Sequence, residues 1–184
     1  MSASLSMVEL LEPWALTRSG IQQGQWWRLW TGHLVHTGAS HGLANLAALG
    51  MLTVISWRLG WLQRSGLGLL LIAPLLSLVL LSCLPSLAWY AGLSGLLHAW
   101  AGLLLTGLNN RLKAVGLMAL AAKLLAEHYA ATPTGVSGFA IVSEAHGLGA
   151  LLGLLLGGSF QSLRRRAVKP VNSQGLRASS RPTP

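Results

Sequence analysis

Ser94 and His146 are the two side chains of this 184-residue chain best suited to nucleophilic catalysis, a hydroxyl and an imidazole able to take its proton. In that pairing His146 deprotonates Ser94, the serine oxygen attacks a carbonyl carbon, and the oxyanion that forms needs hydrogen-bond donors aimed at it. The amide of Asn45 and the imidazole of His41, one turn apart on a helix, are suitable donors. The chain has no Asp. Glu127 and Glu144 are the acids nearest His146, and neither has a helical spacing that demands contact with it, so a Ser–His dyad is the simpler reading. The chemistry is acyl transfer, and it calls for no metal and no organic cofactor.

The elements that hold these groups are set by composition. Charged residues make up 9% of the chain and apolar ones 52%, with a mean hydropathy of +0.55. Soluble domains carry about 25% charge, which they need to cover a globular surface. The composition therefore predicts an integral membrane protein and excludes a soluble enzyme. A spanning helix takes about 20 mostly apolar residues. Residues 41–57 (a short stretch), 66–84, 89–108, 114–131 and 138–158 are the candidates, so the expected fold is all-α, a polytopic bundle of five transmembrane helices.

The net charge of +9 is placed as a membrane protein places it. Arg58 and Arg64, Arg111 and Lys113, and the group Arg164, Arg165, Arg166, Lys169, Arg177 and Arg181 each follow an apolar stretch. That is the positive-inside pattern and not a nucleic-acid footprint, so no nucleic-acid partner is expected. It sets the loops after the first, third and fifth spans in the cytoplasm. Spans beginning at 41, 89 and 138 then enter from the outer face. Ser94 lies about six residues into the third and His146 about eight into the fifth, so at about 1.5 Å per residue both sit roughly 10 Å below that face. Small residues recur every four positions beside each of them, at Ala91, Gly95 and Ala99 and at Ala145, Gly149, Gly153 and Gly157. Such stripes let two helix backbones approach closely in lipid, and facing stripes would bring the serine and histidine within hydrogen-bond reach.

Outside the bundle, residues 1–40 hold no run long enough to span but crowd Trp14, Trp26, Trp27 and Trp30, which favours the outer membrane–water interface. Glu9, Glu12 and Pro13 break the one stretch that might serve as a signal-peptide core. Residues 41–158 form the transmembrane domain. Residues 159–184, basic and rich in Ser and Pro, read as a disordered cytoplasmic tail. The lone Cys83 excludes an internal disulfide and a cysteine metal cluster.

These motifs carry a resemblance. Gln25-Trp26-Trp27-Arg28-Leu29, followed by His36, His41 and Asn45, resembles the outer loop and second helix of rhomboid intramembrane serine proteases. Gly92-Leu93-Ser94-Gly95 resembles their serine motif, and Ala145-His146-x-x-Gly149-x-x-x-Gly153 their last-helix motif, in the same order over residues 24–158. Ser94-Gly95-Leu96-Leu97-His98 and Lys123-x-x-x-Glu127 resemble the rhombosortases, a bacterial branch taken to process exported proteins that end in a Gly-Gly tail with a short transmembrane anchor. The resemblance implies Ser94 as nucleophile, His146 as base, and His41 with Asn45 as oxyanion donors. It gives Gly92, Gly95, His98, Trp27 and Arg28 substrate-binding or structural places. It also implies membrane-anchored protein substrates, and a bacterial inner-membrane location with the site toward the extracytoplasmic face. Two departures stand out. The family's first transmembrane helix, before the Trp-Arg loop, has no counterpart here, and Gly147 follows the histidine where a larger residue is common.

The remaining polar groups admit several pairings. His98, one turn deeper than Ser94 on the same face, suits a ligand, an alternative base or a hydrogen bond inside the bundle. Lys123 and Glu127 are spaced to pair with each other, yet Glu127 could instead meet His98 or His146. His33, His36 and His128 read as interfacial. Two other functions compete with proteolysis. One is a catalytically inactive rhomboid-like protein that binds clients. The other is a metal transporter, which the nearly apolar inner halves of the spans disfavour.

Overall fold

The structure is a computed structural model and describes residues 11–36, 38–129 and 142–167. Seven helices and one pair of two-residue strands make up these residues. Strand β1 (Leu16–Thr17) leads into the short helices α1 (Arg18–Gln22) and α2 (Arg28–Thr31). Then come α3 (Ala39–Arg58) and α4 (Leu62–Cys83), strand β2 (Trp89–Tyr90), α5 (Ser94–Gly107), α6 (Asn110–Tyr129) and α7 (Glu144–Ala167).

The expected bundle of five transmembrane helices is corrected by this architecture. Among the described residues one helix, α4, is long and apolar enough to cross a membrane, with a mean hydropathy of 2.4. The third expected span fails on length. Its first residues are spent on β2 and on the turn at Gly92, so α5 has 14 residues. At about 1.5 Å each these reach about 21 Å, against a hydrocarbon core of about 30 Å. The other long helices are diluted by polar groups. His41, Asn45 and Arg58 stand in α3, and Arg111, Lys113, Lys123 and Glu127 in α6. Glu144 and His146 open α7, which closes on an arginine run. Residues 130–131 of the fourth expected span and 138–141 of the fifth lie outside the described residues. So do 132–137 of the expected outer loop, 1–10 and 37 of the N-terminal segment, and 168–184 of the tail.

Two boundaries also differ from expectation. Helix α7 runs on to Ala167, past the expected start of a disordered tail at 159, and Phe160 packs against the core there. In the N-terminal segment the described residues pack into the fold from β1. Leu16 pairs with Tyr90 and Thr17 with Trp89, and the Thr17 hydroxyl caps α1 through the amide of Gly20 at 3.1 Å. Ala15, Leu16 and Leu29 are buried, while the expected interfacial tryptophans Trp14, Trp26, Trp27 and Trp30 are exposed.

The core is built around α5. On one side Leu96 and Ala99 pack with Ile72, Leu76 and Leu80 of α4. On another, Leu97, Trp100, Leu103 and Leu104 pack with Leu52 and Trp61, and the Trp100 indole donates to the Ser56 hydroxyl at 2.8 Å. Against α7 the approach is backbone to backbone. A Cβ placed on Gly149 would fall 2.1 Å from the Gly95 carbonyl oxygen, and one on Gly153 would fall 1.8 Å from that of Ala99. The two small-residue stripes therefore face each other.

Pro74 lies inside α4 and cannot donate to the carbonyl four residues back, that of Leu70. The Trp30 indole donates to that carbonyl instead, at 3.1 Å. Nearby, His33 sits within hydrogen-bond distance of the Ala73 carbonyl and the Ser77 hydroxyl, both at 3.0 Å, and the Ser77 hydroxyl donates to the Leu29 carbonyl at 2.8 Å. Helix α2 and the residues after it are thereby fastened to α4. His33 is fully buried, not interfacial as its sequence context suggests, and burial pushes its pKa down to about 4.

Candidate active site

Ser94 is the first residue of α5, and the chain before it is tightly held. Gly92 has φ +146°, a conformation that side-chain-bearing residues rarely adopt. Its amide donates to the Gly32 carbonyl at 3.0 Å, and its carbonyl accepts from the Tyr90 hydroxyl at 2.9 Å. A Cβ at Gly92 would also lie 3.8 Å from Ser94 Oγ and 3.9 Å from the His41 ring. The glycine thus marks the point where strand, serine and His41 meet.

His146 enters from the start of α7, at the level where Gly95 allows close contact. A Cβ on Gly95 would stand 3.1 Å from the Ala145 carbonyl oxygen. The Ser94 hydroxyl and His146 Nε2 are 2.7 Å apart. On the opposite edge of the ring, Nδ1 is 2.9 Å from Glu127 Oε2 on α6. An ionised carboxylate only accepts, so Nδ1 carries the proton and Nε2 holds the lone pair that faces the serine. Glu127 is also paired with Lys123. His98 stacks on His146 with ring centroids 4.3 Å apart and planes 12° from parallel. Its Nδ1–H donates to the Ser94 carbonyl at 2.7 Å.

Asn45 is buried, and its side-chain Nδ2 makes no hydrogen bond among the described residues. A buried amide donor without an acceptor is costly unless something arrives to use it. His41, one turn earlier on α3, is partly exposed and stands edge-on to His36 at 6.2 Å. A groove of about 680 Å³ runs beside these residues, lined by Leu34, His36, Leu43, Leu46, Leu49 and Leu93. Leu93 in that lining is the residue before the serine.

The structure thus brings together Ser94, His146, His98, His41 and Gly92, with Gly95 serving the helix contact. Trp27 and Arg28 stand apart from this cluster. The buried Arg28 guanidinium donates to the carbonyls of Ala15, at 2.7 Å, and of Glu12, and pairs with the Glu12 carboxylate at 3.3 Å. Trp27 donates to the Pro13 carbonyl at 3.4 Å. Both tie down the chain before β1. Glu127 completes the cluster, and its partner was one of three the sequence left open. The i, i+4 spacing to Lys123 was legible, but the separation of 19 positions between Glu127 and His146 carries no periodic signal.

No family model, curated protein or solved structure matches the chain.

Proposed function

We propose that this chain is a serine endopeptidase in which Ser94 is the nucleophile, His146 the general base and Glu127 the group that orients His146. The observation that carries this reading is the relay itself, with the serine hydroxyl 2.7 Å from Nε2 and the carboxylate 2.9 Å from Nδ1. In the first half-reaction Ser94 Oγ bonds to the scissile carbonyl carbon and its proton passes to His146. The C–N bond then breaks, and His146 gives that proton to the leaving amine. Water, deprotonated by the same imidazole, attacks the ester and releases Ser94. The unpartnered Asn45 amide, with His41, supports an oxyanion hole on the α3 side.

Substrate class and location rest on the resemblance to rhombosortases. The substrates are exported proteins with a membrane anchor, cut near a C-terminal Gly-Gly tail, and glycines suit a site that needs an extended backbone. The protein works at a bacterial cytoplasmic membrane, with the site toward the extracytoplasmic side. The span-length α4 supports this, as do the exposed Leu43, Leu46 and Val54 of α3 and Leu112, Val115 and Met118 of α6.

The test is fluorophosphonate labelling of the purified chain in detergent. Labelling that is lost in both Ser94→Ala and His146→Ala is the expected result. A wild-type chain that folds but takes no label would overturn the reading in favour of a client-binding protein.

A further inference from the structure

The ring of His98 has no place in the relay, yet it lies against it. One ligand-type atom from each of His98, Glu127 and His146 comes within 4.8 Å of the others. Two imidazoles and a carboxylate are the donor set of open zinc sites, and nitrogen donors favour zinc, cobalt, nickel and copper over magnesium and calcium. The local hydrogen bonds prepare the donors. Because His98 gives its Nδ1–H to the Ser94 carbonyl, its Nε2 is left as a bare lone pair. A backbone carbonyl on the far nitrogen is also the usual support of a metal-binding histidine. Lys123 holds one oxygen of Glu127 and leaves the other facing His146.

We infer that His98, Glu127 and His146 form a binding site for a divalent transition-metal ion of the zinc class, and that this ion switches the Ser94–His146 pair off. Zinc–nitrogen and zinc–oxygen bonds are about 2.0–2.2 Å, which sets tetrahedral ligand atoms about 3.4 Å apart. Donors as much as 4.8 Å apart must therefore close in by up to about 1.4 Å, while Glu127 Oε2 and His146 Nδ1, now 2.9 Å apart, must part by about half an ångström. Glu127 sits on α6, which buries none of its residues, so its carboxylate is free to shift, while the stacked His98 and His146 rings turn about their side-chain bonds to share the ion. The switch follows from the proton count. A metal on His146 Nδ1 displaces the proton there, and that proton moves to Nε2. The nitrogen facing Ser94 is then a donor and cannot accept the hydroxyl proton. The same ring serves as base or as ligand, never as both. Binding itself is independent of the proposed peptidase activity; the inhibitory consequence rests on that reading.

The experiment uses the full chain in detergent, with zinc titrated calorimetrically and cobalt followed by its ligand-field absorption. Wild type and Ser94→Ala should each bind one equivalent, because the serine is not a ligand. Glu127→Gln and His98→Phe, the latter keeping a stacked ring, should each weaken binding about tenfold or more. His128→Ala, an exposed neighbour, should leave it unchanged. Affinity should fall as pH drops through the imidazole range, since protons compete for the nitrogens. Zinc should protect Ser94 from fluorophosphonate, and a chelator should restore labelling. Cobalt binding that survives in both Glu127→Gln and His98→Phe, or no binding by Ser94→Ala, overturns the site. Metal binding by a chain that takes no label leaves the site standing and overturns the peptidase instead. Zinc binding that leaves the labelling untouched overturns the switch and leaves the peptidase standing.

Discussion

Glu127 does the least visible work in the relay. It touches neither the serine nor a substrate; it keeps the Nδ1 proton in place so that Nε2 faces Ser94 unprotonated. Glu127→Ala is expected to slow fluorophosphonate labelling by about 10²–10⁴-fold, the range for removing the acid of a triad. Lys123→Ala, which spares the contact with His146, should cost no more than about fivefold, as an exposed ion pair contributes at most about 1 kcal/mol. Asn45→Ala should lower the rate by about 10²–10³-fold, the cost of one oxyanion donor. His33 belongs to stability. Folded, it takes a proton only near pH 4, whereas the unfolded chain does so near 6.5. Stability is therefore complete above pH 6.5 and drains away as pH falls from 6.5 toward 4, by up to about 3 kcal/mol. Denaturant titrations at pH 7, 5.5 and 4.5 would measure it, and His33→Gln should flatten the dependence. At this scale Ser94, His146, His41 and Asn45 were legible as helix residues, since spacing along one element is what a sequence records. Glu127 it left open among Lys123, His98 and His146, because a contact between separate helices leaves no trace in spacing.

Among the elements, the α5–α7 contact decides whether the reaction geometry exists. Gly149 and Gly153 lie against backbone carbonyls, so a side chain there must push the helices apart. Gly153→Val is expected to destabilise the fold by about 3 kcal/mol or more, since backbone cannot yield as a side chain does. It should also separate Ser94 from His146 and abolish labelling before the chain unfolds, which melting and labelling curves run together would show. The same stripes were legible in the sequence, because four-residue recurrence of small side chains maps directly onto one face of a helix. The five spans were not. Hydropathy counts apolar residues without seeing that 89–92 turn back as β2 and a left-handed glycine, and that polar groups occupy the ends of α3, α6 and α7. Trp30 shows the same blindness in small. Its role as the donor to the Leu70 carbonyl depends on Pro74, forty-four residues away in another element, and Trp30→Phe should cost about 1 kcal/mol in a thermal melt.

Across the whole molecule, the helices meeting at the site are unequally anchored. Helix α5 is buried along most of its length, while α6 buries no residue. Free energies of local opening scale with such packing. Amides of α5 should therefore exchange with solvent only through global unfolding, whereas those of α6 open and close on their own many times in the life of one folded chain. Each opening carries Glu127 away from His146 and leaves the serine and histidine where they are. Heat should thus extinguish fluorophosphonate labelling of Ser94 well below the melting temperature, and cooling should restore it at once, with no refolding to wait for.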